Sequence, residues 1–307
     1  MKKPLLFVLT GPTAVGKTQI ACGAALRLNG EIVSADSMQV YQGFDIGTSK
    51  PARELLERVP HHLIDIVPPT EIFDAVRYRF EALKTIEEIR ARNRQPIVVG
   101  GSGLYIKVLL NGIFPGPSAD REFRETLYQE AAAKGAAVLH GRLKEVDPES
   151  ASLVHPNDLR KIVRALEVHH QSRRPISQMK PDRTPLDDQY EIRVVGLNRP
   201  RAELYRRVEE RIDRMFSNGL LEECRRLIKL PLSQTARQAL GYKEVFEYLE
   251  DKISLEEAIR LVKRNTRRYA KRQLTWFRHE PRLQWVAMDD GRSVETVVEE
   301  VIKKFVL

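Results

Sequence analysis

Short apolar runs alternate with helix-like stretches through the first hundred residues. The run LLFVLT at 5–10 is apolar at almost every position, the pattern of a strand buried on both faces. Residues 17–28 read as a helix, EIVSAD and HLIDIV as further strands, residues 73–93 as a long helix and PIVVGG as another buried strand. Such alternation implies a parallel sheet covered by helices. Pro115 and Pro117 interrupt it, and from 119 to about 173 the period is helical throughout. Turn signals fall at Lys134-Gly135, Asp147-Pro148 and the HPND of 155–158. A polar, proline-bearing passage follows, RRPISQMKPDRTPLDDQ. The sheet pattern returns at EIRVVGLN, long helices fill 201–278, and LQWVAM is a last strand before a terminal helix. The expected organisation is an α/β core over residues 1–117 and 186–307, carrying an all-helical insertion over 118–185.

Composition narrows the class. At 307 residues and 42% hydrophobic, the chain can bury a sizeable core, and no stretch approaches the roughly 20 apolar residues that span a bilayer. MKKP leads into LLFVLT and then the Gly-rich loop, so no export signal is expected. Cys22 and Cys224 make no disulfide framework and lack zinc-site spacing. The paired histidines His61-His62 and His169-His170 have no carboxylate at ligand spacing, so no protein-held transition metal is expected.

The net charge of +9 is concentrated in one place: residues 260–282 hold nine Lys or Arg against a single acid, Glu280. On a helix, Arg260, Arg264, Arg267, Arg268, Lys271 and Arg278 would form one basic stripe, with Tyr269, Trp276, Phe277, Val262 and Leu274 elsewhere. A solvated helix face usually interleaves acids; this run does not. A polyanion, nucleic acid first, is the expected partner.

GPTAVGKT, running from Gly11 through Pro12, Thr13, Ala14, Val15, Gly16 and Lys17 to Thr18, follows the first strand and opens the first helix. It matches GxxxxGK[ST], so the sheet is expected to be of the P-loop type. Its glycines let backbone N–H groups face anionic oxygens, and the helix N-terminus adds positive potential. Lys17 would reach the outer phosphate and Thr18 would bind Mg²⁺. The loop recognises linked phosphates, and nothing in it demands a nucleotide. A nucleotide hydrolase would also need an acid after the neighbouring strand. PIVVGGSG instead continues into Gly100, Gly101 and Ser102. An acid does end EIVSAD: Asp36, at the strand edge where ligands collect in such sheets, although, taken alone, a turn cap is the simpler role for it.

GPTAVGKT, SADSMQVYQGFDIGTSKP, PHHLIDI, VGGSGLYIKVLL, HPNDLRKIVRALEV, QALGYKE and RRYAKRQLTWFR occur in this order along the chain. In these motifs the sequence resembles the tRNA dimethylallyltransferases, also called tRNA isopentenyltransferases, over nearly its whole length. The resemblance implies transfer of a dimethylallyl group from dimethylallyl diphosphate to N6 of the adenosine on the 3′ side of the tRNA anticodon (position 37), in tRNAs reading codons that begin with U. It implies that the Gly-rich loop, residues 11–18, holds the diphosphate with Mg²⁺ at Thr18, and that Asp36 is the catalytic base. It also places Ser37, Met38, Gln39, Ser102 and Arg124 near the reacting adenosine, and Arg160, Lys161, Ile162, Val163 and Arg164 in a tRNA-contacting segment. Gln39 could pair bidentately with adenine; Ile162 and Val163 would pack inward, leaving Arg160, Lys161 and Arg164 free for phosphates.

One departure stands out. Some members carry an Arg three residues before the Gly of the GY motif, where it escorts the diphosphate; here that position is Gln238, with Arg237 before it. Eukaryotic relatives often add a zinc finger and a transit segment, so this chain is expected to be a monomeric bacterial cytoplasmic enzyme acting on the anticodon stem-loop. The competing readings are an adenylate isopentenyltransferase, a small-molecule P-loop kinase and a non-catalytic RNA-binding module.

Overall fold

β1 (Leu5–Thr10) lies inside a six-stranded sheet, and its side chains divide between two cores. The computed structural model describes residues 3–113, 116–117, 119–179 and 185–306. Pro115, Ser118 and residues 180–184, which the linker readings above include, lie outside them. Two compact units emerge: residues 1–111 with 185–307, and residues 112–184.

In the larger unit, β1 leads through α1 (Lys17–Arg27) to β2 (Gly30–Ala35). Then follow α2 (Arg53–Arg58), β3 (His61–His62), α3 (Ala75–Ala91), β4 (Gln95–Gly100) and α4 (Gly103–Asn111). The strand order is β3-β2-β4-β1, continued by β5 (Glu191–Asn198) and β6 (Leu283–Ala287), and every pairing is parallel. Because alternate residues of a strand face opposite sides, Leu6 and Val8 join one core while Phe7 and Leu9 join the other. On the second face the Phe7 ring stacks on Phe305 at 4.5 Å.

HLIDIV is not a strand beyond its histidine. Only His61–His62 pairs with β2, because Leu63 and Asp65 adopt φ of 62° and 56°, left-handed values that a strand cannot contain. The chain regains a single parallel bridge at Val67 with Tyr41.

The smaller unit's α-helices among its described residues are α5 (Arg121–Lys134), α6 (Ala136–Val146), α7 (Pro148–Leu153) and α8 (Leu159–Ser172), capped by Asp120, Asp147 and Asp158 at α5, α7 and α8. Leu127, Leu139, Leu143, Ile162 and Val163 form its own core.

After β5 the larger unit continues through α9 (Arg201–Ser217), α10 (Leu220–Leu227), α11 (Gln234–Arg237), α12 (Tyr242–Leu249) and α13 (Leu255–Phe277), and after β6 it ends in α14 (Val294–Val306). The 23 residues of α13 contain no Gly or Pro, and Ser254 caps its start by accepting the Glu257 N–H. Parallel strands bring their carboxyl ends to one edge. Thr10, Ala35 and Gly100 therefore end side by side, and the loops that follow them meet there.

Candidate active site

The turn from β1 into α1 is built around two glycines. Gly16 takes φ of 110° at the helix start, and a Cβ at Gly11 would lie 2.6 Å from the Leu197 carbonyl oxygen. Val15 is fully buried beneath the loop, so it contributes packing and backbone rather than a side chain to the surface. The Lys17 ammonium folds back over the loop and donates to the carbonyls of Gly11 at 3.0 Å and Pro12 at 2.8 Å.

Facing the loop is a cleft of about 250 Å³ that gathers Lys17, Thr18, Asp36 and Gln39. Asp36 takes the turn-cap role and also lines the cleft. Its Oδ1 accepts the N–H groups of Met38 at 2.9 Å and Gln39 at 3.3 Å, which is the turn cap. Its Oδ2 has no hydrogen-bond donor among the described residues, so the carboxylate is held by one oxygen and open at the other. Ser102 supports it from the loop after β4: the Ser102 hydroxyl accepts the Ser37 N–H at 3.0 Å.

Gln39 differs from the expectation of a free amide. Its Nε2 donates to the Thr48 and Ser49 carbonyls, and its Oε1 accepts from the Ser34 hydroxyl. The amide lines the cleft but is already oriented by protein, which corrects the bidentate adenine pairing. Met38 is half-buried against the core.

The sequence reading missed the opposite wall. Arg207, Arg211 and Arg214 of α9 all line the cleft. Arg207 donates to the Ala14 carbonyl at 3.1 Å and Arg211 to the Thr48 carbonyl at 3.3 Å. Burial lowers the pKa of both from the usual guanidinium range. It also lowers Lys17, to about 7, with the Arg211 charge adding to the effect and Asp36 opposing it. The cleft thus gathers Lys17 and three arginines against one acid, Asp36, the electrostatic counterpart of a polyanion. The i, i+4, i+7 spacing of the three arginines was the available signal, since it puts them on one helix face. Tyr269 and Gln273 of α13 complete the wall. The Tyr269 phenol is pushed up to about 12, first by burial and then by the Asp36 charge.

Gln238 and Arg237 stand outside this cleft. Both are exposed, and Arg237 pairs with Glu250 while lying over the Phe246 ring. The cationic wall comes from α9 instead.

Thr18 and Asp36 offer hard oxygen donors on the cleft, and no cluster of three His, Cys, Asp or Glu suited to a metal exists among the described residues. That donor set fits Mg²⁺, which binds through one or two protein oxygens together with phosphate oxygens and water.

Within the smaller unit, the segment 160–164 divides by face. Ile162 and Val163 are buried in that unit's core, so their side chains are not contact residues. Arg164 and Arg124 both grip the buried Glu167, at 2.6 and 2.7 Å. This corrects the reading of Arg164 as a free cation. Lys161 pairs with Asp158, whereas Arg160 is exposed and makes no close ion pair among the described residues.

The basic stripe on α13 is likewise only partly free. Arg260 pairs with Glu257, Lys263 with Asp213 and Arg267 with Glu209, the latter two acids supplied by α9. The interleaved acids missing from the run itself come from a neighbouring helix. Arg268, Lys271, Arg272 and Arg278 are exposed and have no acidic partner among the described residues.

No helix of the described residues is long and apolar enough to cross a membrane. The sequence model of the IPP transferase family matches residues 39–280. A tRNA dimethylallyltransferase of Geobacter sulfurreducens is 50% identical over 286 residues, 92% of either chain. One from Carboxydothermus hydrogenoformans is 47% identical over 97% of this chain and 96% of its own. Among solved structures, the tRNA isopentenylpyrophosphate transferase of Bacillus halodurans superposes with a TM-score of 0.72 at 39% identity, over 99% of this chain and 97% of that one. A eukaryotic dimethylallyltransferase acting on tRNA gives a TM-score of 0.81 at 29% identity, covering 97% of this chain and 77% of its own.

Proposed function

We infer the reaction from the premise that this chain belongs to the IPP transferase family. It transfers a dimethylallyl group from dimethylallyl diphosphate to N6 of the adenosine at position 37, 3′ to the anticodon, in tRNAs reading codons that begin with U. Diphosphate is released. The observation that carries this reading is the half-held Asp36 carboxylate, its Oδ2 open on a cleft shared with a phosphate loop, Lys17 and three arginines.

The chemistry divides between the two walls. An adenine amino group is a weak nucleophile because its lone pair is delocalised into the ring. Asp36 Oδ2 accepts the N6 proton as the new C–N bond forms. Negative charge meanwhile grows on the departing diphosphate, and preorganised donors are worth most where charge develops. Lys17, the backbone N–H groups of 14–18 and Arg207, Arg211 and Arg214 serve that end. Mg²⁺ at Thr18 would neutralise phosphate charge when bound. A stacked loop base cannot reach a carboxylate in a cleft, so the adenosine is turned out of its stack first, at lower cost from a loop than from a duplex.

Arg268, Lys271, Arg272 and Arg278 on α13, with Arg160 on α8, supply the phosphate contacts of the anticodon stem-loop. The protein acts as a cytoplasmic monomer. A phosphoryl transferase would need an acid after β4, where Gly100-Gly101-Ser102 stands. An adenylate isopentenyltransferase would have no use for the exposed cations of α13 or for the helical unit. The test is to incubate unmodified tRNA with the protein, Mg²⁺ and dimethylallyl diphosphate, and to analyse the nucleosides by mass spectrometry. N6-dimethylallyladenosine is expected; unmodified tRNA, or modification of free AMP instead, would overturn the reading.

A further inference from the structure

We infer that Gln273 is a positioning residue for the transfer: its amide fixes the gap between the phosphate loop and the loop that follows β4. The inference rests on residues 11–18 being the diphosphate cradle.

β1 and β4 are neighbours, and their last registered pair is Thr10 with Gly100, reinforced by the Thr10 hydroxyl donating to the Gly100 carbonyl at 3.0 Å. Beyond that pair the ladder stops, and the two chains diverge into separate loops. Gln273 supplies one more rung. Its Oε1 accepts the Thr13 N–H at 2.9 Å, and its Nε2 donates to the Gly101 carbonyl at 2.8 Å. A backbone N–H can only donate and a carbonyl only accept, so the orientation of this amide is fixed by its partners.

The side chain is 6% exposed in the middle of a helix, a place where an unpaired amide would be costly. Here both ends are paired. The fit is close enough to restrict the partner: a Cβ at Gly101 would lie 2.4 Å from Nε2. One turn earlier on α13, Tyr269 faces the same cleft.

Each bridged loop carries one half of the chemistry. The phosphate loop runs directly into Lys17 and Thr18, and the Gly101 loop holds Ser102, which accepts the Ser37 N–H beside Asp36. Beyond the Thr10–Gly100 pair, this amide therefore bridges the loops that carry base and leaving group. Displacements of about 1 Å can cost on the order of a hundredfold in rate.

The test compares wild-type protein with Gln273→Met and Gln273→Glu by single-turnover transfer to tRNA, alongside thermal melting and tRNA affinity. Gln273→Met removes both bonds at similar volume and is expected to slow transfer about tenfold or more while leaving tRNA affinity within about twofold. Gln273→Glu carries a second signature. As a carboxylate it cannot donate to Gly101, but once protonated it can both donate and accept as the amide does. Its rate relative to wild type is expected to rise several-fold between about pH 8.5 and about pH 6, as burial raises the carboxyl pKa. A filler of volume alone would show no such recovery. A rate within about twofold of wild type for a folded Gln273→Met, or a flat ratio across that pH range for Gln273→Glu, overturns the inference. If Gln273→Met does not fold, the pH ratio of Gln273→Glu decides alone. A wild-type protein with no transfer at any pH would instead remove the reaction itself, and the inference with it.

Discussion

The Tyr242 hydroxyl donates to the Glu223 carboxylate at 2.5 Å, and both side chains are buried. The same carboxylate accepts the backbone N–H groups of Asp45, Ile46 and Gly47. A Cβ at Gly47 would fall 2.5 Å from the Tyr242 ring, so the loop closes tightly on this pair. Burial and the Glu223 charge push the Tyr242 phenol far above its ordinary range, which keeps it a donor. The next residue, Thr48, offers its carbonyl to Arg211 and Gln39. A carboxylate on α10 is thereby linked to the cleft in two steps.

Glu223→Gln should therefore harm both fold and activity. The substituted amide places an NH₂ group against backbone donors, leaving buried N–H groups unpaired at about 1–3 kcal/mol. Chemical denaturation should show a loss of that order. The KM for dimethylallyl diphosphate should rise, because Arg211 loses its fixed acceptor. Tyr242→Phe removes one donor and should give a smaller change in the same direction. Unaltered stability in Glu223→Gln would show that the carboxylate is not what holds the loop.

Asp36→Asn separates the two roles of Asp36. An Asn side-chain oxygen can still accept the N–H groups of Met38 and Gln39. The fold and the tRNA affinity should survive, whereas transfer should fall by about 10²–10⁴ because no base remains for the N6 proton. Asp36→Ala should lose the turn cap as well and show an added stability loss of about 1 kcal/mol, by analogy with helix caps. Comparing the two variants by melting and by single-turnover rate checks the division; near-normal transfer in Asp36→Asn refutes the base.

Lys17 gives opposite pH slopes for stability and for ligand affinity. Its folded pKa of about 7 lies below the ordinary 10.5, so between these values the unfolded chain binds more protons and rising pH stabilises the fold. An entering diphosphate favours the ammonium and raises that pKa. Binding should therefore take up roughly half a proton or more near pH 7.5, and affinity should fall as pH rises above about 7. Calorimetry of inorganic diphosphate in buffers of different ionisation enthalpy measures the uptake directly. Because the Arg211 charge is one cause of the low value, Arg211→Met should reduce the uptake while also weakening binding.

Much of this architecture was legible from local pattern. β1 and β4 are built on apolar runs, β2 and β5 on shorter apolar stretches broken by polar residues, and the Gly-x₄-Gly-Lys-Thr spacing located the loop at the sheet edge. HLIDIV misled because Leu63 and Val67 are real core residues, while the backbone reverses through left-handed Leu63 and Asp65, which periodicity does not register. Arg207, Arg211 and Arg214 stood unremarked within the helical stretch 201–278, since only tertiary packing reveals that this face of α9 looks onto the phosphate loop. Arg164 and Arg267 show the reverse error. Each looked free because its partner, Glu167 or Glu209, was not weighed as a neighbour.

That last distinction separates two sets of cations on the same helix. Arg260, Lys263 and Arg267 each hold an acid within the protein, so phosphate contact would require those pairs to open. Arg268, Lys271 and Arg272 are exposed without such pairs. Each phosphate neutralised by a cation releases counterions, giving a slope of log affinity against log salt of about −0.7 to −0.9 per contact. Replacing Arg268, Lys271 and Arg272 with Gln should flatten the slope for tRNA by about 2 units and weaken binding at low salt. The matching triple at Arg260, Lys263 and Arg267 should change the slope by well under 1 unit and unpair three acids instead. Fluorescence anisotropy with a labelled anticodon stem-loop over a salt series discriminates the sets. Equal slopes for both triples would mean that the ion pairs with α9 do not restrain the stripe, and that RNA competes with Glu209 and Asp213 on even terms.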